Sequence, residues 1–399
     1  MVNSFSKNIC ICCNKINFNK KDCINFKKMP MTEIISYKKN IKKKIFIDQS
    51  LQFCTSCQHM FLKNIINTKY LYEKKNYFFN SNKSYSAIFS NTEFFNFIKK
   101  NFKLKSINNV LEVGSNDLYL LKKFYKNSKN LYGIDPVIKR DINYKKIKTI
   151  KKFFSKDILK LLPNKLDLII CGHTLEHIEN PRNFIENLIL CSNKKTRIFL
   201  QFPALEPLIL NSSFHQVQHQ HINYFSLKSI KNLIRQSGGE VISYNYNNLH
   251  YGTLMICFKK SYLKNKKREK IENKITNKDF INSYRNYKTN LLSNKKIIEN
   301  HLKNKKPFYV IGAAPMLPVL NFHMDNIVNK ARAILDDDKR KIGKYFPFIK
   351  PRIKSLKKAN LKNSVCMIGT VSSSITTRKI INILKKKKAE AIIAPTLTL

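Results

Sequence analysis

The sequence predicts an α/β chain in three parts: a Cys-rich N-terminal module, a central Rossmann-like parallel sheet, and a second Rossmann-like unit at the C-terminus. Three observations carry this expectation. Two Cys-x-x-Cys pairs stand ahead of residue 58. Apolar runs of strand length then alternate with helix-like segments. Each α/β stretch also carries a glycine turn with an acid at the end of a following strand.

The Cys pairs come first. Cys10-x-x-Cys13 and Cys54-x-x-Cys57 supply four thiolates, the number that closes a tetrahedral zinc site. The long interval between the pairs demands a small subdomain, assigned to residues 1–65. Cys12 and Cys23 are spare thiols and alternative ligands, and chance clustering of buried cysteines is the competing reading. Six of the 10 cysteines precede residue 58 and no export signal is read, so metal ligands or reduced thiols are expected rather than disulfides. No His or carboxylate stands at ligand spacing, so the predicted site is closed and structural.

The central domain is assigned to 66–261. Its opening, 62–105, reads as mixed and partly helical, with an aromatic patch at Tyr77, Phe78 and Phe79. Strands are expected at Val110–Val113, Leu131–Ile134, Leu166–Cys171 and Ile198–Phe202, with helices over 117–127 and 180–192 between them. Glu240–Tyr246 and Thr253–Lys259 read as an antiparallel edge hairpin.

Glu112-Val113-Gly114-Ser115-Asn116-Asp117 lies where a first strand turns into a helix and backbone N–H groups can face a ligand. Asp135-Pro136, at the end of the next strand, places a carboxylate for two ribose hydroxyls. The three-glycine dinucleotide fingerprint is missing, which disfavours NAD; an ordinary crossover is the alternative. His173 and His177 follow a later strand and would share a helix face, as a zinc pair without a third ligand or as active-site or structural groups. His215, His219 and His221 cluster after the last parallel strand and suit proton abstraction. Metal binding there lacks nearby carboxylates.

Residues 262–305 read as a Lys-rich helical linker, and 306–399 as the second α/β unit. Phe308–Ile311 runs into Gly312-Ala313-Ala314, Ala333–Leu335 ends in Asp336-Asp337-Asp338, and Val365–Gly369 precedes a helix at about 376–386.

Charge is extreme: 75 Lys+Arg against 25 Asp+Glu, a net +50. A polyanionic partner is one reading. The other is codon bias, because Lys, Asn, Ile and Phe abound while Gly is scarce and Trp absent. No apolar run reaches the length of a membrane span, so a cytoplasmic protein without a span is expected.

These segments together resemble the sugar C-methyltransferases that act on nucleotide-linked keto-deoxysugars. Glu112–Asp117 is similar to that family's cofactor turn, and His219-x-His221-x-x-Tyr224-Phe225-Ser226 to its active-site segment. His250-Tyr251-Gly252-Thr253-Leu254, Gly312-Ala313-Ala314 and Asp336-Asp337-Asp338 through Gly343-Lys344-Tyr345 are similar to its later motifs. The resemblance implies a class I methyltransferase domain between a four-Cys zinc domain and a Rossmann-like C-terminal domain, using S-adenosylmethionine. It further implies His221 as general base, His177 beside the sugar oxygens, and Tyr77 as an aromatic reaching the site. His173 stands where the family carries an Asn, and Phe153 or Phe154 would pack near the adenine.

This sequence departs from the family at Leu118, where a Gly is usual, and at Gln218 and Gln220, where Tyr and Glu are usual. The departures leave O- or N-methylation of a related metabolite open, as well as a SAM-binding homologue without activity. An RNA methyltransferase is the remaining alternative, although Asn180-Pro181-Arg182-Asn183 does not match its usual tetrad. The expected partner is a small-molecule substrate, a nucleotide sugar or related metabolite, with the chain as a monomer or homodimer.

Overall fold

The computed structural model describes residues 4–6, 8–16, 18, 20–32, 35–37, 46–67, 71–72, 81, 85–247, 252–261, 274–370 and 374–396. Tyr77, His250 and Tyr251 lie outside the described residues. The strands, in chain order, are β1 Ser4–Ser6, β2 Cys23–Pro30, β3 Phe46–Cys54, β4 His59–Leu62, β5 Asn64–Ile66, β6 Ile107–Val113, β7 Ser128–Ile134, β8 Asn143–Tyr144, β9 Ile147–Ile150, β10 Leu168–Gly172, β11 Arg197–Pro203, β12 Asn223–Phe225, β13 Gly239–Asn247, β14 Thr253–Lys260, β15 Phe308–Ile311, β16 Ala333–Leu335, β17 Ile353–Lys354, β18 Val365–Ile368 and β19 Ala391–Ile393. The helices are α1 Tyr85–Asn101, α2 Pro181–Leu190, α3 Leu205–Leu210, α4 Leu227–Gln236, α5 Asn277–Lys303, α6 Leu317–His323 and α7 Ser374–Lys386.

The chain divides into two compact units that interleave in sequence. The first comprises 1–23, 51–208 and 220–277; the second comprises 24–50, 209–219 and 278–399.

In the first unit, eight strands form one sheet in the order β13-β14-β11-β10-β6-β7-β9-β8. The strands β9, β7, β6, β10 and β11 run parallel, and β14 and β13 close one edge antiparallel. β10 reads Leu-Ile-Ile-Cys because both of its faces are covered. Ile169 and Cys171 enter the core on one face of the sheet, Leu168 and Ile170 the core on the other. The crossover helices start where their caps dictate. Asn180 caps α2, its side chain accepting the Asn183 N–H at 3.1 Å with Pro181 next in line. Ser226 caps α4 by accepting the Ser229 N–H, also at 3.1 Å.

The helix expected over 117–127 does not form. A short 3₁₀ turn, Leu121–Phe124, stands there instead, because Asn116 (φ 40°) and Leu118 (φ 63°) take left-handed conformations that interrupt helical winding. Leu118 occupies a backbone position that favours glycine. Strain of about 1–2 kcal/mol there is offset by burying the leucine side chain in the core.

In the second unit, five parallel strands run in the order β17-β16-β15-β18-β19. The linker region contributes one long helix, α5, which buries Phe280, Tyr287, Leu291 and Ile298. No helix of the described residues is long and apolar enough to cross a membrane.

Candidate active site

The two Cys pairs fold into matching knuckles. After each pair the next residue turns left-handed, Asn14 at φ 59° and Gln58 at φ 59°. Each of these residues donates its N–H back to the first Cys carbonyl, at 2.8 Å to Cys10 and 2.7 Å to Cys54. The knuckles bring Cys10 Sγ to 3.6 Å from Cys57 Sγ, and Cys13 Sγ to 3.7 Å from Cys54 Sγ. A zinc with bonds of about 2.3 Å to sulfur has tetrahedral edges of about 3.8 Å, so the four thiols fit that ion. Cys12 is not part of the cluster; its thiol donates to the Ser229 carbonyl at 3.4 Å. Cys23 lies 3.9 Å from Gln52 Nε2.

At the carboxyl ends of the parallel strands, Glu112, Gly114, Ser115, Asn116, Asp117 and His173 line one small cavity. The sequence pattern had singled out all of these. The void is about 40 Å³. Gly114 sits at φ 79°, and a Cβ there would collide with the Thr174 hydroxyl. Its N–H donates to the Ile134 carbonyl at 2.8 Å, tying the turn to the neighbouring strand. Glu112 is buried, and among the described residues its Oε2 has no hydrogen-bond partner; the same holds for Ser115 Oγ. Burial holds the Glu112 carboxyl well above the ordinary range.

Asp135 accepts the Asn116 N–H and the Val137 N–H, each at 2.8 Å, one on each carboxylate oxygen. About two of its four lone-pair positions remain for a ligand. Burial raises its pKa, against the pull of those two donors. Pro136 follows it, half-buried. Phe154 packs edge-on against Phe184, ring centres 5.6 Å apart, and is not among the residues lining the cavity. Asn91 and Tyr119 do line it, and sequence reading missed both. Gln201 was missed too: its side-chain amide donates to Ser90 Oγ, whose hydroxyl also lies 3.4 Å from His173 Nε2.

His173 and His177 do not share a helix face. His173 takes φ 51° ahead of the 3₁₀ turn Leu175–His177, so the four-residue spacing has no helix to act through. The two rings instead flank Glu176, with His173 Nδ1 at 3.4 Å and His177 Nε2 at 3.9 Å from Glu176 Oε1. Burial depresses the His173 imidazole to about 4, and it stays neutral at physiological pH.

His221 reaches this turn from a distant segment. Its ring centre is 5.0 Å from that of His177, in an edge-to-face arrangement. Backbone pairing brings them together. Ile222 N–H donates to the Glu176 carbonyl at 2.8 Å, and Leu62 N–H to the Ile222 carbonyl at 3.0 Å. β12 pairs antiparallel with β4, the strand that leaves the second Cys knuckle. The Asn223 carboxamide donates to the Leu175 and Ile178 carbonyls at 3.3 and 2.7 Å. His177 Nδ1 meets the Gln220 carbonyl at 2.8 Å. Tyr72 packs edge-on to His177, ring centres 5.9 Å apart, as the described aromatic at this spot.

His219 and His215 belong to the second unit. His219 Nε2 meets the Met29 carbonyl at 3.1 Å and its Nδ1 meets Gln49 at 3.2 Å. The histidine cluster seen in the sequence therefore divides: His221 faces His177, while His215 and His219 are buried in the other unit with pKa values pushed down by burial to about 3 and about 4.

A family model for the methyltransferase domain matches residues 86–244. The C-methyltransferase NovU of Streptomyces niveus is 24% identical over 152 residues, which span 37% of this chain and 36% of that protein. Among solved structures, the N-methyltransferase NodS of Bradyrhizobium japonicum WM9 with S-adenosyl-L-homocysteine superposes with a TM-score of 0.35 at 15% identity, covering 45% of this chain and 89% of that one. The magnesium protoporphyrin IX methyltransferase of Synechocystis PCC 6803 gives 0.34 at 13% identity, covering 44% and 85%. Residues 86–244 of this chain are thus a methyltransferase domain, built on a Rossmann-like α/β sheet.

Proposed function

We propose that the chain is an S-adenosylmethionine-dependent methyltransferase that methylates an enolisable carbon of a nucleotide-linked keto-deoxysugar. The observation that carries the proposal is the pair of unpartnered buried atoms, Glu112 Oε2 and Ser115 Oγ, at the turn inside the matched domain. An orphaned carboxylate oxygen beside backbone donors suits an ammonium-bearing amino acid moiety. Glu112, Gly114, Ser115, Asn116, Asp117 and His173 would hold that end of the cofactor. Asp135, with Pro136 fixing the chain after it, would take the ribose, and Phe154 would lie toward the adenine. When bound, the cofactor supplies an electrophilic methyl group on sulfonium sulfur.

The chain's own residues prepare the acceptor. His221 removes the proton next to the ketone, and His177 is proposed to lie beside the sugar oxygens. Tyr77 is proposed as a further contact. Cys10, Cys13, Cys54 and Cys57 hold a structural zinc, which steadies β4 and through it the His221 segment. C-methylation is supported by the similarity to NovU over part of the chain; the activity and substrate of the whole chain are proposals.

The test is a calorimetric titration with S-adenosylmethionine, then mass spectrometry of products from a panel of keto-sugar nucleotides. His221→Ala should lower turnover about 10²–10⁴-fold with cofactor affinity near that of the wild type. Undiminished turnover would assign the base elsewhere, and absence of cofactor binding to the wild-type chain would remove the proposal.

A further inference from the structure

We infer that Glu176, His177 and His221 form a second metal site, for a divalent transition ion such as Zn²⁺. One ligand atom from each residue lies within 4.8 Å of the other two. Two imidazoles and one carboxylate are a recurrent donor set for zinc, iron(II) and manganese(II).

The electrostatics of Glu176 call for a cation. Its carboxyl is 2% exposed, and among the described residues Oε2 has no hydrogen-bond partner. Burying a carboxylate without compensation is costly, so it takes up a proton or a positive ion. This chain has 75 Lys and Arg side chains. Yet among the described residues no Lys or Arg lies within ion-pair distance of Glu176, and its neighbours are the imidazoles of His173 and His177.

The tautomer of His177 points the same way. Its Nδ1–H donates to the Gln220 carbonyl at 2.8 Å, which leaves the lone pair on Nε2. That lone pair faces Glu176 Oε1 at 3.9 Å, too far for a hydrogen bond. Two bonds of about 2.1 Å at a tetrahedral angle span about 3.4 Å, so a bound ion draws these two atoms together by about 0.5 Å. A ring N–H held by a backbone carbonyl is the usual support behind a metal-ligating histidine. His173 Nδ1, 3.4 Å from Glu176 Oε1, steadies the carboxylate from its other side.

One consequence rests on the reading of His221 as general base. A neutral imidazole has a single basic nitrogen. A metal on it leaves no lone pair for the substrate proton, so metal occupancy and proton abstraction exclude one another, and the ion acts as a brake.

The test is metal content, which does not depend on turnover. The full-length wild-type chain, Glu176→Gln and His221→Gln are each equilibrated with excess Zn²⁺, gel-filtered and analysed by mass spectrometry for zinc. The circular dichroism spectrum and thermal unfolding of each protein serve as the folding control. Each variant should retain about one zinc per chain fewer than the wild type, because the Cys site is common to all three. If one variant does not fold, the other decides. Equal zinc in wild type and folded variants overturns the inference and leaves the methyltransferase proposal standing; loss of that proposal would leave the zinc difference unaffected.

Discussion

The turn after β6 and the turn after β15 use one backbone device for two different ends. Gly114 and Gly312 both sit at positive φ, 79° and 95°, each with a threonine, Thr174 or Thr370, where a Cβ would go. Each donates its N–H to the last residue of the neighbouring strand, at 2.8 Å to Ile134 and 2.7 Å to Leu335. Each turn is bound by a strand-end aspartate. Asp135 accepts from Asn116 and Val137; Asp336 accepts from Ala313 and Asp338, all at 2.8 Å. The difference lies in the side chains. The first turn buries Glu112 and Ser115 with atoms unpartnered among the described residues, whereas the second presents Ala313 and Ala314 and has Thr370 Oγ1 as its unpartnered atom. Asp336 also meets Lys341 at 3.2 Å, so its charge is already compensated. A shared scaffold therefore does not by itself make a shared site.

The largest contrast concerns metal removal. A structural zinc supplies on the order of 10 kcal/mol of folding free energy, and the first unit alone carries the Cys cluster. Chelation should disorder the knuckles and, through β4 and β12, the His221 segment, abolishing turnover while cofactor affinity changes little. Parallel loss of cofactor binding, followed by calorimetry, would show that the module also builds the cofactor turn.

The next contrast tests the two acids. Asp135→Ala should weaken S-adenosylmethionine binding about 10–100-fold, the worth of charge-assisted hydrogen bonds. Asp336→Ala should leave that affinity within about twofold of wild type. Equal losses in the two variants would erase the distinction between the turns.

The glycines sharpen the shared part. Gly114→Ala and Gly312→Ala should each cost about 1–3 kcal/mol in denaturant unfolding, because each forces a Cβ into a left-handed turn and against a threonine. Only the first should also reduce cofactor affinity. A stable Gly312→Ala protein would mean that the second turn relaxes where the first cannot.

The smallest contrast is acid response. In the second unit His215, His219 and His323 have pKa values depressed to about 3, 4 and 3 by burial. The unfolded chain protonates these groups near pH 6.5 while the folded chain does not, so stability falls as pH drops below that value. In the first unit His59 and His173 act the same way. They are opposed by carboxyls raised through burial, Glu176 to about 7 together with Glu112, Asp135 and Glu206. Those bind protons in the folded state first and gain stability as pH falls. Pulse proteolysis between pH 7 and 5 should therefore show the second unit opening before the first, and the reverse order would refute this assignment of signs.

Much of this was legible in the sequence because it is local. Cys-x-x-Cys spacing determines a knuckle, whose left-handed exit residue follows from the turn itself. An apolar run such as Leu168–Cys171 determines a covered strand, and a glycine turn with an acid after the next strand determines how that turn is tied down, as Gly114 with Asp135 and Gly312 with Asp336 both are. What only the tertiary structure decided was long-range. Glu176 and His221 are 45 positions apart in the numbering and meet through backbone pairing at Ile222, so no spacing rule links them. The expected face shared by His173 and His177 gave way to a left-handed turn, and His219 was drawn into the other unit by Met29 and Gln49. Periodicity reports which way neighbouring side chains point; it carries no information on which distant backbone groups will pair, and that pairing placed the second histidine and the carboxylate together.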